Sequence, residues 1–246
     1  ERFGAENPKS KQLKFHTQTA GSTLTAQQVD NNIVRVAYQA LAAVLGGTQS
    51  LHTNGKDEAL ALPTEESVRT ALRTQQILAH ESGAADTIDP LAGSYYVESL
   101  TDGVEEDAFD ILDTVDEKGG MLQAIEDQWV QRQIQDVAYE RQREVEEKER
   151  VIVGVNEFEV DEEPEVDIQE VTEEDEQRQI DRLNAVKDDR DDEAVEAKLD
   201  ALREAAEGDD NVMPYIVDAV KAYATVGEIC GVMRDVFGEY RPGAAV

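Results

Sequence analysis

Histidine and amide side chains occur in two short strand-like runs near the start of the chain. The first run, FHTQT, contains His16 and Gln18, and the second, TQSLHTN, contains Gln49 and His52. Because side chains alternate along a strand, His16 and Gln18 point to the same face. A histidine beside a glutamine offers hydrogen-bond donors to a carbonyl or a carboxylate, although a strand histidine alone is more often structural. The pair is therefore the first candidate for catalysis or binding.

A predicted helix separates these two runs. Apolar residues recur at helical spacing in residues 33–45, and Gly46-Gly47 ends the pattern. The residues of the apolar face are Ile33, Ala37, Leu41 and Val44. We expect a buried strand over residues 13–19 and a second strand over 48–52. Strand, helix and strand, with polar residues at the strand C-termini, is how a β/α barrel forms an active-site mouth.

The rest of the chain favours helices. Thr64 is expected to cap a helix that ends near Ser82, and Thr225 with Glu228 matches a capping box for the last helix, which ends at Gly238. Further helices are expected over 102–117, 122–150, 180–186 and 195–202 and from Pro214 onward, with an edge strand over 151–155 and a mobile loop over 161–176. Tyr95, Tyr96, Trp129, Tyr139 and Cys230 are expected to pack in the interior.

The composition excludes several classes of function. The 246 residues include 55 acidic and 23 basic side chains, for a net charge of −32, which repels nucleic acids and anionic membranes. We expect no membrane span, because no run of about eighteen apolar residues occurs. One cysteine excludes an internal disulfide and a cysteine metal cluster, and a reducing cytoplasm is the expected location. Clear helical periodicity with 40% apolar residues favours a folded, halophilic protein over a disordered chain.

Several longer runs carry a resemblance to a known family. They are FHTQTAGSTLTAQQVDNN, TQSLHTNGKDEALALP, LRTQQILAHESG, DPLAGSYYVE, IVGVN and VGEICGVMRDVFGEYRP. Together they extend over almost the whole chain, and they resemble the adenosylcobalamin-dependent acyl-CoA mutase family. The resemblance implies an isomerase that interconverts methylmalonyl-CoA and succinyl-CoA by a radical carbon-skeleton rearrangement. It is closest in character to the C-terminal half of a haloarchaeal-like large, catalytic subunit.

The resemblance also assigns roles to individual residues. It implies that His16 and Gln18 line the cavity beside the substrate acyl group and act in catalysis. It implies that Gln49 lies against cobalamin and that Glu58 accepts hydrogen bonds from the ribose of the adenosyl group. The other residues that it assigns to the cofactor are Gly21, Ala59 and Leu62. No protein metal ligand is expected, because the cobalt-binding DxHxxG motif does not occur in the sequence.

The resemblance implies an α/β fold in two parts. Residues 1–90 would be the closing part of a TIM (β/α)8 barrel that binds acyl-CoA, and residues 91–246 a mostly helical extension. Since the family's carboxylate-binding tyrosine and arginine lie upstream of the matching region, this chain alone is expected to be inactive. The implied partners are a separate cobalamin-binding small subunit and a second copy of the chain.

Two alternatives stay open from the sequence, and the length of the match disfavours a third, an acidic helical interaction protein. Isobutyryl-CoA mutase and related acyl-CoA mutases share nearly all of these motifs, and their specificity residues lie upstream. In another class of function, the chain would be a non-catalytic scaffold that docks the cobalamin-binding subunit. Intact His16, Gln18, Gln49 and Glu58 favour the enzyme over the scaffold.

Overall fold

Helices dominate the computed structural model, which describes residues 4–161 and 167–241. The described residues form two compact units that divide between Glu170 and Val171. The helices of the first unit are α1 (Asn31–Leu45), α2 (Glu65–Glu81), α3 (Tyr95–Glu117), α4 (Met121–Glu126) and α5 (Trp129–Glu146). Those of the second unit are α6 (Glu173–Asp189), α7 (Asp192–Glu207), α8 (Met213–Lys221) and α9 (Val226–Phe237). The predicted domain boundary near residue 90 stays a prediction.

The described residues contain one parallel sheet of two short strands, β1 (Thr17–Gln18) and β2 (Leu51–His52). The Thr17 N–H donates to the Ser50 carbonyl at 2.8 Å, and the Thr19 N–H donates to the His52 carbonyl at 3.0 Å. The predicted order of strand, helix and strand is therefore confirmed. A closed barrel needs about eight strands, so the described residues do not show a TIM barrel.

The first strand is shorter and more exposed than predicted. Leu13 is 75% exposed and Phe15 is 40% exposed, so the prediction of a buried strand over residues 13–19 is wrong. A strand in a parallel sheet is normally buried because helices or other strands cover it on both faces. Within the described residues, β1 has β2 as its one strand neighbour, which leaves its other edge open.

Helix α1 buries a different face from the predicted one. Its buried residues are Asn32, Val36 and Ala40, while Ile33, Ala37, Leu41 and Val44 are half-buried. Asn32 is fully buried because its amide group is hydrogen-bonded: it donates to the Thr25 and Lys56 carbonyls, each at 2.8 Å. An apolar periodicity cannot reveal such a polar position. The buried face packs against α2.

Helix α2 begins as the sequence predicts. The Thr64 hydroxyl accepts a hydrogen bond from the Ser67 N–H at 3.3 Å, which satisfies one of the free N–H groups of the first turn. Glu65 and Glu66 lie in that turn, where the helix dipole favours anions. The helix ends at Glu81, one residue before the predicted end.

The region after α2 departs more from expectation. Tyr95 and Tyr96, in the first turn of α3, are 96% and 73% exposed, and Tyr139 is 64% exposed, so the prediction that they pack in the interior is wrong. A break at Gln128, whose φ is 59°, divides the helix predicted over 122–150 into α4 and α5. Residues 151–155 do not form a strand; Arg35 donates to the Val153 carbonyl at 2.7 Å.

The second unit has a small apolar core made by α7, α8 and α9. Its fully packed side chains are Leu202, Ala219, Ile229 and Val232. The capping box of Thr225 and Glu228 is confirmed, and Pro214 lies in the first turn of α8 as predicted. Cys230 is exposed, so its predicted burial is wrong. The loop predicted over 161–176 lies partly outside the described residues, and α6 already begins at Glu173.

None of the helices within 4–161 and 167–241 is both long enough and apolar enough to span a bilayer.

Candidate functional site

The C-terminal ends of β1 and β2 bring four polar or small residues together. Gln18 Nε2 donates to Asn54 Oδ1 at 3.0 Å, and the Asn54 N–H donates to the Thr19 hydroxyl at 3.0 Å. A Cβ placed on Gly21 would lie 2.8 Å from Asn54 Nδ2 and 3.1 Å from Glu58 Oε1. We refer to Gln18, Gly21, Asn54 and Glu58 as the strand-end cluster. Three of its members are sequence-predicted site residues.

The strand-end cluster contains a hydrogen-bond donor without a partner. Asn54 is 2% exposed, and its Nδ2 donates to no described residue. A buried donor left unpaired costs about 1–3 kcal/mol, so it indicates an additional group such as a ligand or a water. Gly21 lets Asn54 and Glu58 pack closely against its backbone, and the exposed Glu58 carboxylate can accept hydrogen bonds from hydroxyl groups. The cluster can therefore bind a molecule that combines one acceptor with hydroxyl donors.

The loop that carries Asn54 and Glu58 is held by both neighbouring helices. The Asn32 amide donates a hydrogen bond to the carbonyl of Lys56 in this loop. The ammonium group of Lys56 lies 2.9 Å from the Asp30 carboxylate and 3.6 Å from the Glu66 carboxylate. These two carboxylates, chiefly through the hydrogen bond from Asp30, raise the pKa of Lys56 above its ordinary value. Lys56 therefore stays a cation that connects the loop to the starts of α1 and α2.

His16 and Gln49 form a second group, beside the strand starts. His16 Nδ1 lies 2.8 Å from Ser50 Oγ, and Gln49 Oε1 accepts from the Phe15 N–H at 2.9 Å. Both side chains are exposed and line a shallow groove together with Lys14. In the described structure, Gln49 ties the two strands together, and His16 is available to a ligand at this surface. The structure does not join His16 to Gln18 through a direct hydrogen bond.

Ala59 and Leu62, the two apolar residues assigned to the cofactor, lie on the outer side of the same loop. Ala59 is exposed, and Leu62 is 61% exposed while its backbone pairs with Gln169. Exposed apolar side chains next to the strand-end cluster are available to an apolar ligand surface. Their cofactor contact stays a prediction.

Sequence reasoning gave two residues of this loop too little weight. The sequence alone does not decide between a functional role for Asn54 and simple loop shaping, and its unpaired buried nitrogen is visible only in three dimensions. Asp57 belongs to no site predicted from the sequence, and it is 1% exposed. A signal for Asp57 exists in the sequence: it lies seven residues before the helix cap Thr64 in DEALALPTEES, within reach of the free N–H groups of α2.

Comparison with known proteins now gives the family. The sequence profile of methylmalonyl-CoA mutase matches residues 1–239. The chain is 49% identical over 243 residues to the 2-hydroxyisobutanoyl-CoA mutase large subunit of Aquincola tertiaricarbonis. The aligned region covers 98% of this chain and 43% of that relative. It is 46% identical over 239 residues to the methylmalonyl-CoA mutase of Escherichia coli K12, covering 97% of this chain and 34% of that relative.

A human relative extends the comparison. The mitochondrial methylmalonyl-CoA mutase of Homo sapiens is 43% identical over 241 residues, covering 97% of this chain and 32% of that relative. The chain belongs to the methylmalonyl-CoA mutase family. It spans from about a third to somewhat under half of the length of the relatives that it matches.

Proposed function

We propose that this chain supplies part of the active site of an adenosylcobalamin-dependent acyl-CoA mutase, an isomerase that interconverts methylmalonyl-CoA and succinyl-CoA. Membership of the family supports the reaction class. The observation that carries the site is the buried, unpaired Nδ2 of Asn54 beside Gly21 and Glu58. In this proposal, β1, α1 and β2 belong to a larger β/α barrel, and other polypeptide supplies the remaining strands.

The strand-end cluster fits the adenosyl group of the cofactor by its chemistry. A ribose offers hydroxyl donors to the Glu58 carboxylate and an oxygen acceptor to Asn54 Nδ2, and Gly21 lets these two side chains lie close together. Ala59, Leu62 and Gln49 would contact the rest of the cofactor. When bound, adenosylcobalamin supplies the carbon radical that the rearrangement requires. The cobalt ligand would come from a separate cobalamin-binding subunit.

His16 and Gln18 would act on the substrate. Both are exposed on the same side of β1, and both can donate a hydrogen bond to a thioester carbonyl or a carboxylate. Their task would be to hold the acyl group while the carbon skeleton rearranges, and Asn54 would orient the Gln18 amide through its 3.0 Å bond. The protein groups would thus orient the substrate and exclude water.

A second substrate has specific support. The relative with 49% identity is named a 2-hydroxyisobutanoyl-CoA mutase large subunit, against 46% for a relative named methylmalonyl-CoA mutase. Since the difference is small, methylmalonyl-CoA stays the first candidate and 2-hydroxyisobutanoyl-CoA the second. Isobutyryl-CoA is a third substrate to include.

The test is an activity assay on the native enzyme that contains this chain, purified in molar KCl. We expect adenosylcobalamin-dependent turnover of methylmalonyl-CoA that Q18A reduces at least tenfold, in line with the loss of one hydrogen bond to a reacting group. His80→Ala is the matched control, because His80 is an exposed histidine in the last turn of α2 and belongs to neither group of candidate site residues. Cobalamin binding without turnover of any of the three acyl-CoA substrates would instead support the docking scaffold.

A further inference from the structure

The loop between β2 and α2 contains a buried carboxylate that the proposed function does not use. Asp57 is 1% exposed. Its Oδ1 accepts a hydrogen bond from Ser67 Oγ at 2.6 Å, and its Oδ2 accepts one from the Thr64 N–H at 2.9 Å. A buried carboxylate is tolerated only when hydrogen bonds satisfy it. Both partners belong to the start of α2, where the helix dipole also favours an anion.

The backbone of Asp57 organises the same loop. Its carbonyl accepts from the Leu60 N–H at 2.8 Å and from the Ala61 N–H at 3.1 Å, which closes a turn that contains Glu58. Gly55 permits this packing, because a Cβ there would lie 2.7 Å from Asp57 Oδ1 and 2.5 Å from Ser67 Oγ. One residue thus fixes both the turn and its attachment to α2.

Asp57 lies between the two loop members of the strand-end cluster. It is three residues after Asn54 and directly before Glu58, and its carboxylate bonds to the Thr64 N–H and the Ser67 hydroxyl. Because Lys56 contacts Asp30 at the start of α1 and Glu66 at the start of α2, the carboxylate of Asp57 adds two hydrogen bonds to the attachment at α2. Loss of these two bonds would loosen the Glu58 side of the loop while β2 keeps its pairing with β1.

We propose that Asp57 is a positioning residue, whose carboxylate ties the loop to the first turn of α2 and thereby holds Glu58 and Asn54 in place for the adenosyl group of the cofactor. This inference rests on the proposed function. Asp57 acts through its neighbours, so its removal should weaken recognition of the adenosyl group more than recognition of the corrin ring.

Binding of two cobalamins by the native enzyme tests the proposal. Adenosylcobalamin carries the adenosyl group and hydroxocobalamin lacks it. For D57A we expect the Kd of adenosylcobalamin to rise about tenfold or more, the loss of about one hydrogen bond to a charged group, while the Kd of hydroxocobalamin stays within about threefold. D57N should recover most of the affinity, since its oxygen can accept from Thr64 and its amide can donate to Ser67 Oγ.

A second measurement does not depend on the cofactor. Hydrogen–deuterium exchange of the isolated chain should show faster exchange of the amides in residues 57–62 in D57A, by about tenfold or more. Ser67→Ala removes one of the two carboxylate contacts and should give an intermediate effect, and it carries the test if D57A does not fold. Asn156→Ala is the control: it deletes bonds to the Ile152 N–H and the Val145 carbonyl in the same unit.

The outcomes separate this inference from the function on which it rests. A wild-type enzyme that does not bind adenosylcobalamin overturns the proposed function, and the positioning role with it. A wild-type enzyme that binds it, with D57A and S67A either unchanged or weakened equally for both cobalamins, overturns the positioning role alone. If N156A discriminated against adenosylcobalamin as strongly as D57A, general destabilisation would explain the effect, and the proposal would also be refuted.

Discussion

Gly55 is the glycine near the candidate site at which an added Cβ would be most crowded by neighbouring atoms. A Cβ at this position would lie 2.5 Å from Ser67 Oγ, 2.7 Å from Asp57 Oδ1 and 3.3 Å from Pro63 Cβ. Gly55 does not have a positive φ, so Gly55→Ala perturbs this packing and leaves the backbone conformation permitted. The substitution therefore measures how tightly the loop is held against α2.

The expected destabilisation follows from two contributions. The methyl group forces Ser67 and Asp57 apart, which breaks a hydrogen bond to a charged group worth about 1.5–3 kcal/mol. Insertion of a carbon into a packed region adds about 1–3 kcal/mol. We therefore expect G55A to lower the free energy of opening of the loop by about 3–5 kcal/mol. At about 1.4 kcal/mol for each factor of ten, this corresponds to amide exchange that is faster by about two to three and a half orders of magnitude.

The assay is hydrogen–deuterium exchange of the amides in residues 54–64, combined with denaturant unfolding followed by the single tryptophan, Trp129. Gly103→Ala is the control, because a Cβ there meets nothing within 4 Å on α3, and alanine in a helix should be neutral or mildly stabilising. The double variant G55A/S67A removes the nearest obstructing atom and should be less destabilised than the sum of its single variants. A cost below about 1 kcal/mol for G55A would refute the tight attachment of the loop.

Three further predictions concern acid, salt and the strand-end cluster. Hydrogen bonds from Arg190 and Thr225 lower the pKa of Glu228 from 4.5 to about 2. The contribution of Glu228 to the free energy of unfolding is therefore full above pH 4.5 and is lost as the pH falls toward 2. The stability difference between wild type and E228Q should shrink over that window, and a constant difference would contradict this. At a net charge of −32, the melting temperature should rise steeply up to molar KCl, where the Debye length is about 3 Å, and a flat curve would exclude the halophile interpretation. Gly21→Ala should change stability by only about 1 kcal/mol but weaken adenosylcobalamin binding at least tenfold, because the new Cβ would displace the amide of Asn54. If G21A bound adenosylcobalamin as tightly as wild type, the strand-end cluster would not be part of the cofactor site.

Local signals in the sequence predicted the starts of α2 and α9. The caps at Thr64 and Thr225 depend on a hydroxyl that accepts from an N–H three residues away, and this chemistry is complete within one turn. The exposure of Tyr95 and Leu13 could not be predicted in this way. Burial depends on which other elements cover a surface, and an apolar periodicity predicts that a face is suited to packing without saying what packs on it.

The same distinction between local signals and tertiary packing applies to the candidate site. The resemblance of its short motifs to a known family assigns Gln18, Gly21 and Glu58 to the site. The buried nitrogen of Asn54, which has no partner among the described residues while Gln18 donates to the other end of the same amide group, is visible only in the structure. This arrangement arises from three segments meeting at the strand ends. The proposed cofactor role can be tested directly. Asn54→Leu keeps the number of side-chain heavy atoms but removes the amide, so it should preserve folding and lose adenosylcobalamin affinity, whereas a purely structural Asn54 would lose both.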